Sequence, residues 1–253
     1  MLRRVKQYIR TNRLLQEGDR VLVCVSGGAD SVALLDVLLR SGYRCVVAHC
    51  NFHLRGDESD RDEQLVRTLC EERGVELLVR HFETRAEAVK TGRSIEMTAR
   101  LLRYEWFDEA ARANDCQAIA VAHHQNDQAE TLIMNLRRGA GIRGLCGMRC
   151  KSVNPCVESD IPVIRPLLCT THDYIQHYLR DIRHIPWVED STNADTTIRR
   201  NSVREELCQY TKAEIEHIAA TARMMQGYTD WIENRQSIEH EEVKQYEALR
   251  HHR

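Results

Sequence analysis

Ser26-Gly27-Gly28-Ala29-Asp30-Ser31 constrains this chain more than any other stretch. The apolar run Val21-Leu22-Val23-Cys24-Val25 precedes it, and Val32-Ala33-Leu34-Leu35-Asp36-Val37-Leu38-Leu39 follows with the pattern of a helix. The order is therefore strand, glycine turn, helix start. Glycines bring backbone close to a ligand because no Cβ intervenes. The first N–H groups of a helix point outward at its start, where the helix dipole favours negative charge. Two serine hydroxyls add donors, and together these features make a cradle for phosphate. Asp30 is the exception. A carboxylate beside phosphates repels them unless a cation lies between, so Asp30 implies Mg²⁺. The plainer alternative is an ordinary strand–turn–helix corner built of small residues.

Elsewhere the pattern alternates. Arg3 to Arg13 reads as a short helix, and Arg44 to Cys50 as a second strand, nearly unbroken in its apolar character. Asp57 to Arg73 reads as a charged helix ended by Gly74, Val75 to His81 as a third strand, and Ser94 to Asn114 as a long helix capped by Ser94. Gln117 to His123 gives a fourth strand and Gln125 to Arg138 the next helix. Strands alternating with helices mean a doubly wound α/β fold, a mainly parallel sheet with helices on both faces. Ligands of such sheets sit beyond the carboxyl ends of the strands. Further on, Val163 to Leu168 reads as a short strand and Thr171 to Arg183 as a helix. Asp190 to Thr197 is polar and irregular, and helices follow over Arg199–Tyr210 and from Lys212 towards Met225. Trp231 to Arg253 is charged throughout, a partly independent helix. The expected division is a catalytic domain over 1–210 and a short helical C-terminal extension over 211–253, either a linker or a truncated region.

Charge is distributed locally. The formal net charge is −2, yet Thr131–Val157 contains no acid and carries Arg137, Arg138, Arg143, Arg149 and Lys151. The N-terminal arm Arg3, Arg4, Lys6, Arg10 and Arg13 is equally free of acids. Basic patches on a near-neutral protein suffice to contact nucleic acid, since phosphates are met locally. No stretch has the length of a membrane span, and the N-terminus lacks an apolar signal core, so a cytoplasmic location is expected. The 10 cysteines are scattered, several within apolar runs, and no C-x-x-C occurs, so free thiols fit better than disulfides. Cys146, Cys150 and Cys156 are too loosely spaced to argue a metal site.

Three further constellations carry chemistry. His49 and Asn51 stand at the end of the second strand, followed by His53. On the Ser94–Asn114 helix, Glu96, Arg100 and Arg103 share one face at i, i+4 and i+7, where two arginines can clamp phosphate oxygens. His123 and His124 leave the fourth strand, and Asp127 and Glu130 follow on one helix face. Four ionisable groups at one strand end suit Mg²⁺ or a cationic amine; their plainer role is helix-dipole stabilisation by first-turn acids.

Taken in order, these motifs carry a resemblance. The phosphate loop resembles that of the ATP pyrophosphatases, whose fold is adenine nucleotide alpha hydrolase-like. With His49-x-Asn51, Arg100-x-x-Arg103, His123-His124…Asp127-x-x-Glu130, Arg138-Gly139-x-Gly141…Gly144, Ile164-Arg165-Pro166-Leu167, Pro186-Trp187…Asp190-x-Thr192-Asn193 and Arg200-Asn201-x-x-Arg204, the chain looks like the tRNA(Ile)-lysidine synthetase family over about residues 18–205. That resemblance implies ligation of L-lysine to the wobble cytidine of an isoleucine tRNA with a CAU anticodon. The base carbonyl is adenylated by ATP, pyrophosphate leaves, and the lysine amine then displaces AMP. By the same resemblance Ser26, Gly27, Gly28, Ala29, Asp30, Ser31, His49, Asn51, Arg103 and His123 bind ATP. Asp30 and Asp127 serve Mg²⁺, and Asp127 and Glu130 read lysine. Asp30, Arg103, Asp127 and Glu130 are the catalytic set. Arg138, Gly139, Gly141, Arg143, Gly144, Arg200 and Arg204 contact tRNA or belong to a lid. The glycine-rich stretch around Gly139–Gly147 is the expected lid, mobile for want of packing partners. The oligomeric state stays open, a homodimer included. Two other functions stand beside this one: a tRNA thiolase of the same superfamily, and an adenine-nucleotide-binding module without chemistry.

Overall fold

The computed structural model describes residues 1–189 and 199–251, with side chains omitted at 199–201 and 236–251. The described residues form two compact units. One takes Met1–Gln125 and the chain from Cys150 to Glu189; the other takes Asn126–Arg149 and the chain from Arg199 onward.

The first unit is a six-stranded sheet. Helix α1 (Leu2–Thr11) leads into β1 (Arg20–Cys24), α2 (Ala29–Arg40) and β2 (Arg44–Asn51). After α3 (Asp57–Arg73) come β3 (Glu76–His81), α4 (Thr84–Thr91), α5 (Ile95–Ala113) and β4 (Ala118–Ala120). Beyond the second unit's first segment lie β5 (Lys151–Ser152) and β6 (Val163–Ile164). The strand order is β3-β2-β1-β4-β6-β5. All pairings are parallel except β5 against β6. The order reverses between β1 and β4, and ligands of doubly wound sheets bind at such a point.

Side chains alternate across a strand, so each central strand feeds two cores. Val21, Val23, Val47, Ala118, Ala120 and Ile164 pack with Val5, Leu34, Leu38, Leu69 and Ile175 on one face. Leu22, Val46, Ala48, Ile119 and Val163 pack with Tyr104, Trp106, Phe107 and Ala111 on the other. Strands buried on both faces explain the near-continuous apolar runs of the sequence. Helix α5 starts as expected: the Ser94 hydroxyl accepts from Met97 N–H at 3.2 Å.

Three local readings change in this unit. The fourth strand is only Ala118–Ala120, shorter than Gln117–His123. The strand expected over Val163–Leu168 stops at Ile164, and Pro166–Cys169 turn as 3-10 helix. Pro166 has no N–H for a ladder, so pairing ends before it. The helix from Thr171 is α8 (His172–His177), passing into a π-helical turn over Tyr178–Arg183. That turn delivers Tyr178 and Arg183 to buried Asp36 of α2. Tyr178 Oη donates to Asp36 Oδ2 at 2.5 Å, Arg183 reaches Asp36 Oδ1 at 3.1 Å, and Arg40 donates to Tyr178 Oη at 2.7 Å. Burial first and Asp36 second push the Tyr178 phenol up to about 12. The polar stretch Asp190–Thr197 lies outside the described residues.

In the second unit, α6 (Gln125–Arg137) is followed by a one-turn α7 (Ile142–Leu145), α9 (Arg199–Leu207) and α10 (Lys212–His251). Ala129, Val203, Leu207 and Ile215 form its apolar centre. Helices were expected over 212–225 and 231–253; α10 is one unbroken helix over Lys212–His251. All 10 cysteines are free, and Cys208 alone among them is exposed. Burial pushes the thiols of Cys45 and Cys50 up to about 12, and those of Cys70 and Cys116 up to about 11.

Candidate active site

The loop after β1 folds on its own polar groups. Val25 N–H still pairs with Ala48 O at 3.0 Å, and Gly27 then takes φ +101°, a region side chains avoid. A Cβ at Gly27 would lie 2.9 Å from Val188 Cγ2, so only glycine fits here. Ser31 Oγ donates to Gly28 O at 2.9 Å, accepts from Ser26 N–H at 3.1 Å and lies 3.2 Å from Ser26 Oγ. The hydroxyls therefore hold the turn open, while Gly28 caps α2 from an extended conformation. The helix start faces the carboxyl end of β1 at the reversal of strand order, an arrangement that receives anions.

Asp30 lies in the first turn of α2. His172 Nδ1 is 3.0 Å from its Oδ1 and His124 Nε2 is 3.4 Å from its Oδ2. Burial by itself would raise the Asp30 carboxyl; the His124 imidazole, and after it His172, outweigh burial and hold it well below the usual carboxylate range. His124 was expected at the end of β4. His172 belongs to none of the motifs read from the sequence, though its place past β6 and Pro166, at a neighbouring strand end, is a signal for it.

Other expected residues serve the same sheet edge. His49 is buried, its Nδ1 2.8 Å from Val25 O, which ties β2 to the start of the phosphate loop. Burial pulls the His49 imidazole down. Asn51 is buried and donates to Asp60 Oδ1 at 2.9 Å and Glu63 Oε2 at 3.0 Å on α3. Arg103 of α5 lies over the Phe52 ring, 5.1 Å from its centre, just beyond β2. Arg100 lies over Tyr104 at 5.0 Å, and Glu96 is exposed. His123 is half-buried between β4 and α6.

Asp127, Gln128 and Glu130 are buried on α6 in the second unit. Arg204 of α9 donates to Glu130 Oε1 at 2.9 Å. A buried carboxylate held by a guanidinium is a cation-binding group with one cation in place. The stretch Gly139–Arg149, expected to lack packing partners, has several. Asn135 Nδ2 donates to Gly144 O at 2.8 Å, and Gln128 exchanges two bonds with Met148, at 3.1 and 2.7 Å. Gly147, with φ +58°, lies so close to Gln128 that a Cβ would approach within 2.8 Å. From α10, Gln226 donates to Met148 O at 2.9 Å and Asp230 accepts from Arg149 at 2.7 Å. Arg143 is 3.7 Å from Glu233. The Arg200 side chain lies outside those described.

Residues 1–211 match the family described as PP-loop domain. A protein of Porphyromonas gingivalis strain W83 named tRNA(Ile)-lysidine synthase is 50% identical over 205 residues, 81% of this chain and 43% of its own length. One of the same name from Bacteroides thetaiotaomicron is 47% identical over 201 residues, 79% of this chain and 45% of its own. The chain therefore spans a little under half the length of these relatives. Among solved structures, the U34-tRNA thiolase NcsA of Methanococcus maripaludis with its [4Fe-4S] cluster superposes with TM-score 0.68. It has 17% identity and covers 89% of this chain and 80% of its own. The NMN synthetase of Francisella tularensis superposes with TM-score 0.53 at 11% identity, covering 87% and 90%. At those identities the likeness concerns the fold.

Proposed function

Because the chain belongs to the PP-loop family, we propose that it carries the catalytic part of an ATP-dependent ligase that joins L-lysine to the wobble cytidine of a CAU-anticodon isoleucine tRNA. The observation that carries this reading is the phosphate loop at the reversal of strand order, in a chain 47–50% identical to proteins named tRNA(Ile)-lysidine synthase. Loop backbone from Ser26 to Ser31 and the start of α2 would take the phosphates of ATP. Asp30 fits Mg²⁺, since a carboxylate in that first turn supplies hard oxygen beside phosphate oxygens. Mg²⁺ held by Asp30 would supply positive charge against the leaving pyrophosphate. Arg103, held over Phe52, presents a fixed cation at the same edge of the sheet. His49 keeps the loop in register through Val25 O.

In the second step lysine's amine must be neutral when it attacks and arrives as a cation. Asp127 and Glu130 are buried carboxylates one helical turn apart on α6. They would hold the ammonium, and Glu130, already balanced by Arg204, would accept a proton or exchange one cation for another. A base carbonyl oxygen leaves poorly and AMP leaves well, which is the use of adenylation.

The test is mass analysis of tRNA nucleosides after incubation with ATP, Mg²⁺ and lysine, with each omitted in turn. A lysine-dependent mass gain on cytidine is expected, together with pyrophosphate release. Sulfur incorporation would point to a thiolase. Nucleotide binding without either product would point to a binding module.

A further inference from the structure

We propose that Asp30, His124 and His172 together form a binding site for one divalent transition-metal ion of the Zn²⁺ class, distinct in its chemistry from an Mg²⁺–nucleotide site. Three elements converge to make it. Asp30 stands in the first turn of α2, His124 in the segment leaving β4, and His172 at the first position of α8. No local sequence pattern links the three; the parallel sheet brings their segments to one edge.

The geometry suits an ion. One ligand atom from each residue lies within 4.8 Å of the others. Asp30 oxygens are 3.0 Å from His172 Nδ1 and 3.4 Å from His124 Nε2. Tetrahedral zinc with ligand bonds of about 2.0–2.2 Å separates neighbouring ligand atoms by about 3.3–3.5 Å. The carboxylate-to-imidazole spacings are therefore already near what coordination needs. The two rings are 5.3 Å apart between centres and tilted by 41°, so their edges converge without stacking face to face. His124 is almost closed off, while His172 and Asp30 keep side-chain exposures of 38% and 29%. That leaves a walled site with an entry path.

The donor set selects the metal. Two imidazoles and one carboxylate favour zinc, cobalt or iron over magnesium, which prefers oxygen and gives up water reluctantly. Three protein ligands leave a fourth position for water or another anion. The surroundings are polar too. Gln125 N–H donates to Thr170 O at 2.9 Å, binding the His124 segment to the His172 segment. Gln125 Oε1, Thr170 Oγ1 and Thr171 Oγ1 are buried with no hydrogen-bond partner among the described residues. They are chain neighbours of the two histidines, available to a hydrated ion as outer-sphere partners.

Binding is proposed for the whole chain without nucleotide, so it does not depend on the ligase reading. The experiment titrates the purified chain with Zn²⁺ by calorimetry and with Co²⁺ by visible absorption, after its accessible cysteines are alkylated under native conditions and with Mg²⁺ in excess. One ion per chain is expected, with tetrahedral cobalt bands and no thiolate-to-metal charge transfer. His172→Gln and His124→Gln should each weaken binding about tenfold or more, as befits loss of a direct ligand. Circular dichroism checks the folding of each variant; if one is unfolded, His172→Asn and Asp30→Asn carry the comparison. Unchanged affinity in the folded variants, loss of binding on alkylation, or complete displacement by Mg²⁺ would each overturn the assignment.

Discussion

Gly27→Ala tests the physical basis of the phosphate loop. Gly27 has φ +101°, and its missing Cβ position is 2.9 Å from Val188 Cγ2 and 3.4 Å from Asp62 O. Two separable penalties follow. Holding a non-glycine residue in that backbone region costs about 1–3 kcal/mol. Forcing a methyl group against packed neighbours costs about 1–3 kcal/mol more. The sum, about 2–6 kcal/mol, is a large part of the ~5–15 kcal/mol that stabilises an ordinary domain. Val188→Ala removes the contacting methyl and leaves the dihedral alone. By itself it should cost about 1 kcal/mol, since Val188 is half-buried. Combined with Gly27→Ala it should recover the packing share and no more. Urea denaturation followed by far-UV circular dichroism measures all four proteins, with m-values checked for constancy. The reasoning is refuted if Gly27→Ala lies within about 0.5 kcal/mol of wild type. It is equally refuted if Val188→Ala restores stability in full, because the backbone penalty would then be absent.

Four further outcomes are expected. Tyr178→Phe leaves Asp36 with Arg183 but removes its 2.5 Å bond; the unfolding free energy from urea denaturation should fall by about 1–3 kcal/mol. Ser94→Ala deletes the cap on α5 and should cost about 0.5–2 kcal/mol by the same measurement. Glu130→Gln should raise the lysine KM or stall the second step while an adenylated tRNA still accumulates, read by trapping the adduct; equal loss of both steps with unchanged lysine dependence would move Glu130 to the ATP site. The Asp30 carboxyl is held low in the folded state, so it contributes stability above about pH 4 that is lost as the pH falls further. Acid titration of Asp30→Asn should show a flatter limb there than wild type, and parallel limbs would contradict the imidazole pairing.

Much of this architecture was readable beforehand because it is local. Apolar runs bounded by glycine gave β1 and β2, a serine gave the start of α5, and the glycine pair announced the turn after β1. What escaped was decided at a distance. Strand β4 is short because only three of its residues find partners in β1. Strand β5 is two residues long and exists only through its antiparallel pairing with β6. The stretch after Gly139 looked unpacked because its partners Gln128, Gln226 and Asp230 lie on α6 and α10, far along the chain. His172 has no motif around it; its meaning comes from the strand end beside it. Asp36 sat in an apolar helix with nothing nearby to mark its partners Tyr178 and Arg183.

The free thiols make this fold its own clock. Cys45 and Cys70 belong with one face of the sheet, and Cys50 and Cys116 with the other. Near pH 8 a thiol of pKa about 12 is thiolate about one part in ten thousand, against roughly a quarter for an unperturbed thiol near 8.5. An alkylating reagent must wait for the interior to open at buried Cys70 and Cys116, whereas exposed Cys208 is within its reach from time zero. Timed labelling, resolved peptide by peptide, would clock the opening of each face separately, without adding a probe.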